Sequence, residues 1–302
     1  MELNSFQEKM RHFLPEIELR FAEPMSRHTS LRIGGPAEVM AFPQNPQELA
    51  HILKVSKELD ITCAILGAGT NILAPDEGCR GLIICLKDCL GGMELLPGNC
   101  IRVMAGVTMA RAAVFAANHG LSGLEFAHGI PGTVGGGVYM NAGAYGGEMS
   151  GICRSVTLMD GAGQLREVNA RELEFSYRHS KLQESGEIVI SAALQLQPAA
   201  PEEVKQKMRE LQAKRLASQP LDYPSAGSAF KRPAGGYAAA LIDQAGLRGF
   251  QVGQAAIARK HAGFAINLGG ATAAEMRELL TQVSDRVFRQ TGIRLEPEIR
   301  IW

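Results

Sequence analysis

Three short stretches of this 302-residue chain combine reactive side chains with backbone that has to turn. Ser225-Ala-Gly-Ser-Ala-Phe-Lys-Arg232 sets two hydroxyls and two cations around Gly227, the equipment for holding a phosphate- or carboxylate-bearing ligand. On local grounds it is equally a turn between elements. Tyr177-Arg-His-Ser180 groups a guanidinium, an imidazole and two hydroxyls, although one such tetrapeptide suits a solvated polar loop better than a site. Glu296 and Glu298 alternate with apolar residues in the final strand expected over 295–302, and a strand's period of two puts both on one face. Paired acids at a chain end usually face water. A nucleophilic triad is not indicated, because Ser228 is not on a GxSxG elbow and His179 and His261 lack an evident acid partner.

The backbone that would serve these side chains is glycine-rich. Residues 129–147 hold 8 of the chain's 34 glycines, where an even spread would put about two. Glycine costs backbone entropy and is used where φ is positive or where another group must approach the main chain. Such a run offers backbone N–H donors to a phosphate or pyrophosphate. Val134, Val138, Tyr139, Met140 and Tyr145 interrupt it, which suits a packed, ligand-cradling loop rather than a flexible connector. Two smaller clusters precede it, Ser26–Gly35 and Gly67-Ala-Gly-Thr-Asn71. The second follows a predicted strand, yet Pro75 soon follows and the GxGxxG fingerprint of a dinucleotide fold is absent.

Composition narrows the partners. Lys+Arg and Asp+Glu are 31 each, so no net field favours nucleic acid or an anionic membrane, and an anionic ligand has to be held locally. The first residues carry no apolar signal core and no run reaches the ~20 apolar residues of a membrane span, so a cytoplasmic protein is expected. The six cysteines (Cys63, Cys79, Cys85, Cys89, Cys100, Cys153) form no CxxC pair, which leaves them as reduced packing residues and gives no metal site.

The periodicity predicts helices over 5–20, from Pro46 with Asn45 as N-cap, from Thr108 with Ala110, Ala113, Val114 and Ala117 on one face, over 202–215, near 237–245, and from Thr272 with Met276, Leu279, Leu280, Val283 and Val287 buried. Strands are predicted over 38–42, 62–66, 81–86, 101–104, 156–159, 188–196, 255–258 and 264–267, with a hairpin turn at Asp160-Gly161. Gln197-Pro-Ala-Ala-Pro201 reads as a domain boundary. Composition and spacing alone stop at an α+β protein that binds a phosphorylated ligand.

In this order the clusters resemble one family, the UDP-N-acetylenolpyruvoylglucosamine reductases, flavoenzymes of bacterial peptidoglycan precursor synthesis. The resemblance covers about residues 25–301 and is carried by Thr29-Ser-Leu-Arg-Ile-Gly-Gly35, Gly67-Ala-Gly-Thr-Asn71, Gly129-Ile-Pro-Gly-Thr-Val-Gly-Gly136 with Asn141-Ala-Gly-Ala-Tyr-Gly146, Tyr177–Ser180, Ser225–Lys231, Lys260-His-Ala-Gly-Phe264 and Leu295-Glu-Pro-Glu-Ile-Arg300. It implies an α+β fold: a two-subdomain FAD-binding flavoprotein fold of mixed sheets with helices (1–78 and 79–198) plus a C-terminal α+β substrate-binding domain (199–302).

The resemblance further implies non-covalent FAD, since Pro36 follows Gly35 where some superfamily members tether flavin through histidine. The expected FAD-holding residues are Arg32, Ile33, Gly34, Gly35, Gly67, Ala68, Gly69, Thr70, Asn71, Gly129, Pro131, Gly132, Gly135, Gly136, Asn141, Ala142 and Gly143. NADPH is the implied co-substrate and a UDP-sugar the substrate, with Tyr177, Lys231 and Arg232 expected to bind it and Lys214 and Arg215 as further cations for its diphosphate. Arg178, Ser228 and Glu298 match the catalytic positions, with Lys231 and Glu298 as possible helpers of the serine. Thr70 stands where the family often has serine, and Ala258 where it often has a polar residue. Only 50 residues separate Arg178 from Ser228, which fits the shorter class without a tyrosine-bearing insertion, and a monomer is expected. A related flavoprotein oxidase and a non-catalytic nucleotide-sugar binder are the rival readings.

Overall fold

Residues 4–302 are described by the computed structural model; Met1, Glu2 and Leu3, which open the expected first subdomain, lie outside the described residues. Contact divides the chain into two compact units, whereas the three expected segments divide it by role. Among the described residues the first unit comprises 4–21, 39–68 and 81–214, the second 22–38, 69–80 and 215–302.

The first unit holds two hydrophobic cores. One is built from Met10, Leu14, Leu49, Ile52, Leu82 and Ile84. Its sheet runs Glu18–Pro24, Pro36–Phe42, Cys79–Cys85, Cys63–Leu66, with the last two strands parallel. Helix Pro46–Glu58 is capped by Asn45, whose side chain accepts the Glu48 amide, and proline sits where the missing N–H costs nothing. The N-terminal helix is shorter than its periodicity predicts. It covers Ser5–Phe13 and stops at Leu14, because Pro15 disfavours the α region for the residue before it.

The other core lies under an antiparallel sheet ordered Leu165–Asn169, Cys153–Met159, Ile188–Gln195, Cys100–Met104, Met93–Leu96. Helix Met109–Asn118 buries Met109, Ala112, Ala113, Ala116 and Ala117. Its inner face is therefore rotated from the predicted one, and Val114 is 42% exposed. The turn after Met159 is longer than Asp160-Gly161: the Asp160 carboxylate accepts the Ala162 and Gln164 amides, and Gly163 takes the positive φ of 79°.

The glycine run holds a helix where the sequence suggests a loop. Val134–Tyr139 is helical, with Thr133 as its N-cap. Of the three consecutive helical glycines, Gly135 and Gly137 are required by close packing. A Cβ on Gly135 would stand 2.9 Å from that of Ala105, and one on Gly137 2.8 Å from the Met109 sulfur.

The second unit packs a large core and a smaller buried cluster of Ala256, Ala258, Phe264 and Ile266. Ser225–Ser228, Phe264–Asn267, Ala255–Ile257 and Gln251–Val252 form an antiparallel sheet in that order. Helix Ala273–Thr291 lies against it with a Thr272/Glu275 capping box, and its predicted stripe is buried throughout. Each of those aliphatic side chains contributes roughly 1.5–3 kcal/mol on burial. Leu31, Ile33 and Leu73 join the large core, which is why residues 22–38 and 69–80 fold with the C-terminal part. The final strand is shorter than predicted. Only Arg300–Ile301 pairs, in parallel with Ile72–Leu73, and Pro297, which has no N–H to donate, leaves a single bridge to Phe230.

Candidate active site

In the first unit two of the expected FAD-holding stretches meet. Strand Cys63–Leu66 ends at Gly67, where a Cβ would stand 2.7 Å from Thr133 Oγ1. Thr133 is 3% exposed, and its hydroxyl accepts the Gly136 amide at 3.3 Å. The helix amides are taken up within the protein: Val134 N–H donates to Val107 O, Gly135 N–H to Ala105 O and Gly137 N–H to Thr133 O. The run is thus not a continuous row of open donors. Among the described residues, no acceptor is found for the amides of Gly129, Gly132 and Thr133, and Gly132 has φ 135°. Such open backbone donors, one of them on the residue whose side chain abuts Gly67, suit the pyrophosphate of a dinucleotide such as FAD.

Tyr177–Ser180 is held onto the same run. Ser176 and His179 exchange backbone hydrogen bonds, N–H to O, at 3.1 and 3.2 Å, which leaves Tyr177 and Arg178 at the tip of a tight turn. Arg178 has φ 57°, a left-handed conformation that costs a residue with a side chain about 1–2 kcal/mol. Its Nη1 donates to Gly143 O at 3.3 Å, and the guanidinium lies 5.2 Å from the centre of the Tyr177 ring. Ser180 Oγ donates to Tyr139 O at 2.7 Å, and Gln183 Nε2 donates to Tyr139 O and Arg178 O. Asn141 is 2% exposed; it donates to Ser176 O at 3.0 Å and accepts the Ser150 amide at 2.9 Å. Ala142 completes that link, since its amide donates to Gly137 O. A left-handed arginine fixed on so many sides is the kind of outlier that accompanies function.

In the second unit the rest of the Gly67–Asn71 turn and the Arg32–Gly35 stretch are both packed against neighbouring backbone. A Cβ on Gly69 would fall 1.9 Å from His28 O, and one on Gly35 2.1 Å from Asp76 O. Ser30 N–H donates to Gly69 O at 3.0 Å, Gly35 N–H to Pro75 O at 2.8 Å, and Arg32 turns with φ 55°. Thr29 Oγ1 donates to Ile33 O at 2.9 Å, closing the loop on itself.

Ser228 and Glu298 lie together in this unit. Strand Ser225–Ser228 pairs Ser225 with Ile266 and Ser228 with Phe264, so it carries one extra residue, and Gly227 absorbs it with φ 78°. A bulge of this kind re-aims the next side chain, here Ser228, which is exposed. One residue on, the Ala229 carbonyl accepts the Glu298 amide at 2.9 Å, and Lys231 N–H donates to Glu296 O at 2.9 Å. Glu298 is half-buried while the side chain of Glu296 is 73% exposed, so the two acids differ in surroundings despite their spacing. Lys231 Nζ sits 3.1 Å from Glu296 Oε2, and the Arg232 guanidinium stacks 4.0 Å from the Tyr237 ring centre.

Thr133, Ser30 and Asp76 were missed as supporting residues by sequence reasoning. Thr133 before Val-Gly-Gly was a legible N-cap once a helix was considered there. Nothing local marked Ser30, which donates to Ser225 O at 2.7 Å, or Asp76, whose carboxylate accepts the Ala273 and Ala274 amides at 2.7 and 3.0 Å. No group of three or more His, Cys, Asp or Glu that could hold a metal ion occurs among the described residues.

The family model for the C-terminal domain of UDP-N-acetylenolpyruvoylglucosamine reductase matches residues 219–302, and an FAD binding domain model matches residues 37–169. The chain is 44% identical to the UDP-N-acetylenolpyruvoylglucosamine reductase of Agathobacter rectalis, over 98% of both chains. It is 42% identical to that of Streptococcus pneumoniae, again over 98% of each. The crystal structure of the reductase from Thermus caldophilus matches with a TM-score of 0.78 at 34% identity, covering 95% of this chain and 98% of that one. With near-complete coverage in both directions, this chain belongs to the UDP-N-acetylenolpyruvoylglucosamine reductase family.

Proposed function

We propose that this chain is an NADPH-dependent flavoenzyme that reduces the enolpyruvyl group of UDP-N-acetylenolpyruvoylglucosamine to give UDP-N-acetylmuramate, a peptidoglycan precursor. Residues 1–78 and 79–198 hold FAD non-covalently, through the glycine stretches above, and residues 199–302 bind the sugar nucleotide, with Tyr177, Lys231 and Arg232 contributing. Bound FAD supplies the hydride, received from NADPH and delivered to the terminal carbon of the enolpyruvyl double bond.

The side chains do the rest. Negative charge develops on the carbon next to the carboxylate, and Arg178 stabilises it; a fixed guanidinium is worth far more in a closed site than in water. The Ser228 hydroxyl gives that carbon its proton and is reprotonated from solvent, so the substrate gains two hydrogens in all. Glu298 polarises the serine or orients the intermediate, while Lys231, paired with Glu296, is better placed for substrate than for the serine. The observation that carries these assignments is the pairing that sets the Glu298 amide on Ala229 O, next to a serine aimed by a bulge.

The protein acts as a cytoplasmic monomer of the shorter class, with no nucleic-acid or membrane partner. No described helix is long and apolar enough to cross a membrane, and the net charge is +0. The test is NADPH oxidation that depends on the enolpyruvyl sugar nucleotide and yields a product heavier by two hydrogens in mass spectrometry. Oxygen consumption with an alcohol, and indifference to NADPH, would instead identify an oxidase.

A further inference from the structure

Asn71 closes the Gly67–Asn71 turn, and the resemblance assigns it to the cofactor. Its side chain is engaged elsewhere: Nδ2 donates to the Glu298 carbonyl at 3.2 Å. Its own carbonyl accepts the Arg300 amide at 3.0 Å, so this one residue grips the chain on both sides of Ile299. The Glu298 amide meanwhile donates to Ala229 O at 2.9 Å. Both peptide groups flanking the Glu298 Cα are therefore held, one by the strand segment that follows Ser228 and the other by Asn71.

This matters because residues 293–299 have no ladder of their own. Between the helix ending at Thr291 and the strand beginning at Arg300 there is one isolated bridge, at Pro297. Lys231 N–H to Glu296 O and Glu298 N–H to Ala229 O, both at 2.9 Å, Ser284 Oγ to Leu295 O at 2.9 Å and the burial of Ile299 anchor the segment, but none of these bonds is to the Glu298 carbonyl. The Asn71 amide adds the directional hold on the other side of the Glu298 Cα, since a hydrogen bond is angular where apolar packing is not. Ser30 does the matching task for the other strand. Its hydroxyl donates to Ser225 O at 2.7 Å while its amide donates to Gly69 O at 3.0 Å.

We propose that Asn71 is a positioning residue for Glu298, and that the turn expected to face the flavin is also the gauge that sets the catalytic acid. The inference rests on the reading of Glu298 as a group that acts on the substrate intermediate. A displacement of about 1 Å in such a group slows chemistry by up to about 10²-fold, so losing one tether slows the step that uses Glu298 on the order of tenfold.

The test is a double-mutant cycle on FAD-loaded protein, reading the rate at which the enolpyruvyl substrate reoxidises the reduced flavin. Asn71→Ala slows this step about tenfold in the parent and less than about twofold once Glu298→Gln is present, because the tether then has no catalytic acid left to position. Asn71→Asp keeps the shape and loses the donor; it carries the cycle if the alanine variant does not fold. A second readout needs no activity: hydrogen exchange at the Arg300 amide speeds up about tenfold in the ligand-free variant while the amides of helix Ala273–Thr291 are unmoved. Additive slowing in the cycle overturns the positioning role and leaves the proposed function standing. A Glu298→Gln enzyme with parental rates removes the catalytic role of Glu298, and the positioning role of Asn71 with it.

Discussion

Replacing Arg178 separates a catalytic guanidinium from a structural one, because its contacts with Gly143 and Tyr177 are each small beside a catalytic effect. Arg178→Ala keeps the left-handed backbone at φ 57°, so the strain stays. It removes the hydrogen bond to Gly143 O at 3.3 Å, worth about 0.5–1 kcal/mol at a part-exposed site, and a cation–π contact worth about 0.5 kcal/mol. The expected loss of stability is therefore about 1–1.5 kcal/mol. Arg178→Gly relieves the strain by about 1–2 kcal/mol and returns about 0.5–1 kcal/mol of it to the unfolded chain's entropy, so it should be more stable than the alanine variant by about 0.5–1 kcal/mol. The catalytic effect is larger: loss of a preorganised charge stabiliser slows the reaction about 10²–10³-fold, or about 2.7–4 kcal/mol. Urea melts give the first quantity and anaerobic stopped-flow the second. Both variants should reduce flavin with NADPH at near-parental rates and lose the same factor in flavin reoxidation by substrate. A loss of FAD retention alone, or equal slowing of both half-reactions, would refute the assignment and make Arg178 a brace for the glycine run.

Ser228→Ala should leave flavin reduction fast and stall reoxidation by the sugar nucleotide; parental turnover would remove serine as the proton donor. Gly67→Ala places a Cβ 2.7 Å from the capping hydroxyl of Thr133, so the purified protein should carry much less FAD per chain, and unchanged flavin absorbance would sink that part of the cradle. Burial pushes the Cys85 thiol up to about 11 and that of Cys153 up to about 12, from an ordinary 9.0. The folded state then keeps protons that the unfolded chain loses. Stability from these thiols is complete below about pH 9 and falls as pH rises towards about 11–12. Thermal melts of a Cys85→Ala/Cys153→Ala variant should show a flatter alkaline decline than the parent, and an identical decline would exclude these thiols as its source.

Much of the architecture was legible because it rests on local rules. Asn45-Pro46 and Thr272 with Glu275 marked helix starts by their capping chemistry, and the Met276–Val287 stripe gave its buried face by period alone. The first helix was overextended because periodicity continued past a proline that the backbone could not ignore. The glycine run concealed a helix because propensity argues against three glycines in a row, and packing against Ala105 and Met109 explains Gly135 and Gly137. The site divided in the same way. Its motifs were visible as types and order, while the links that make it a mechanism were not: Asn71 to Glu298 spans 227 positions and Ser30 to Ser225 spans 195. No spacing rule reaches that far, and Lys231 beside Ser228 in sequence turned out to face Glu296 in space.

An absorbance spectrum of the purified protein, followed through anaerobic additions, reaches the central claim most directly. The purified protein should be yellow, with a flavin band that bleaches on addition of NADPH and returns, without oxygen, when the enolpyruvyl sugar nucleotide is added. A colourless protein that binds the UDP-sugar, or a bleached flavin that only oxygen restores, would contradict that claim.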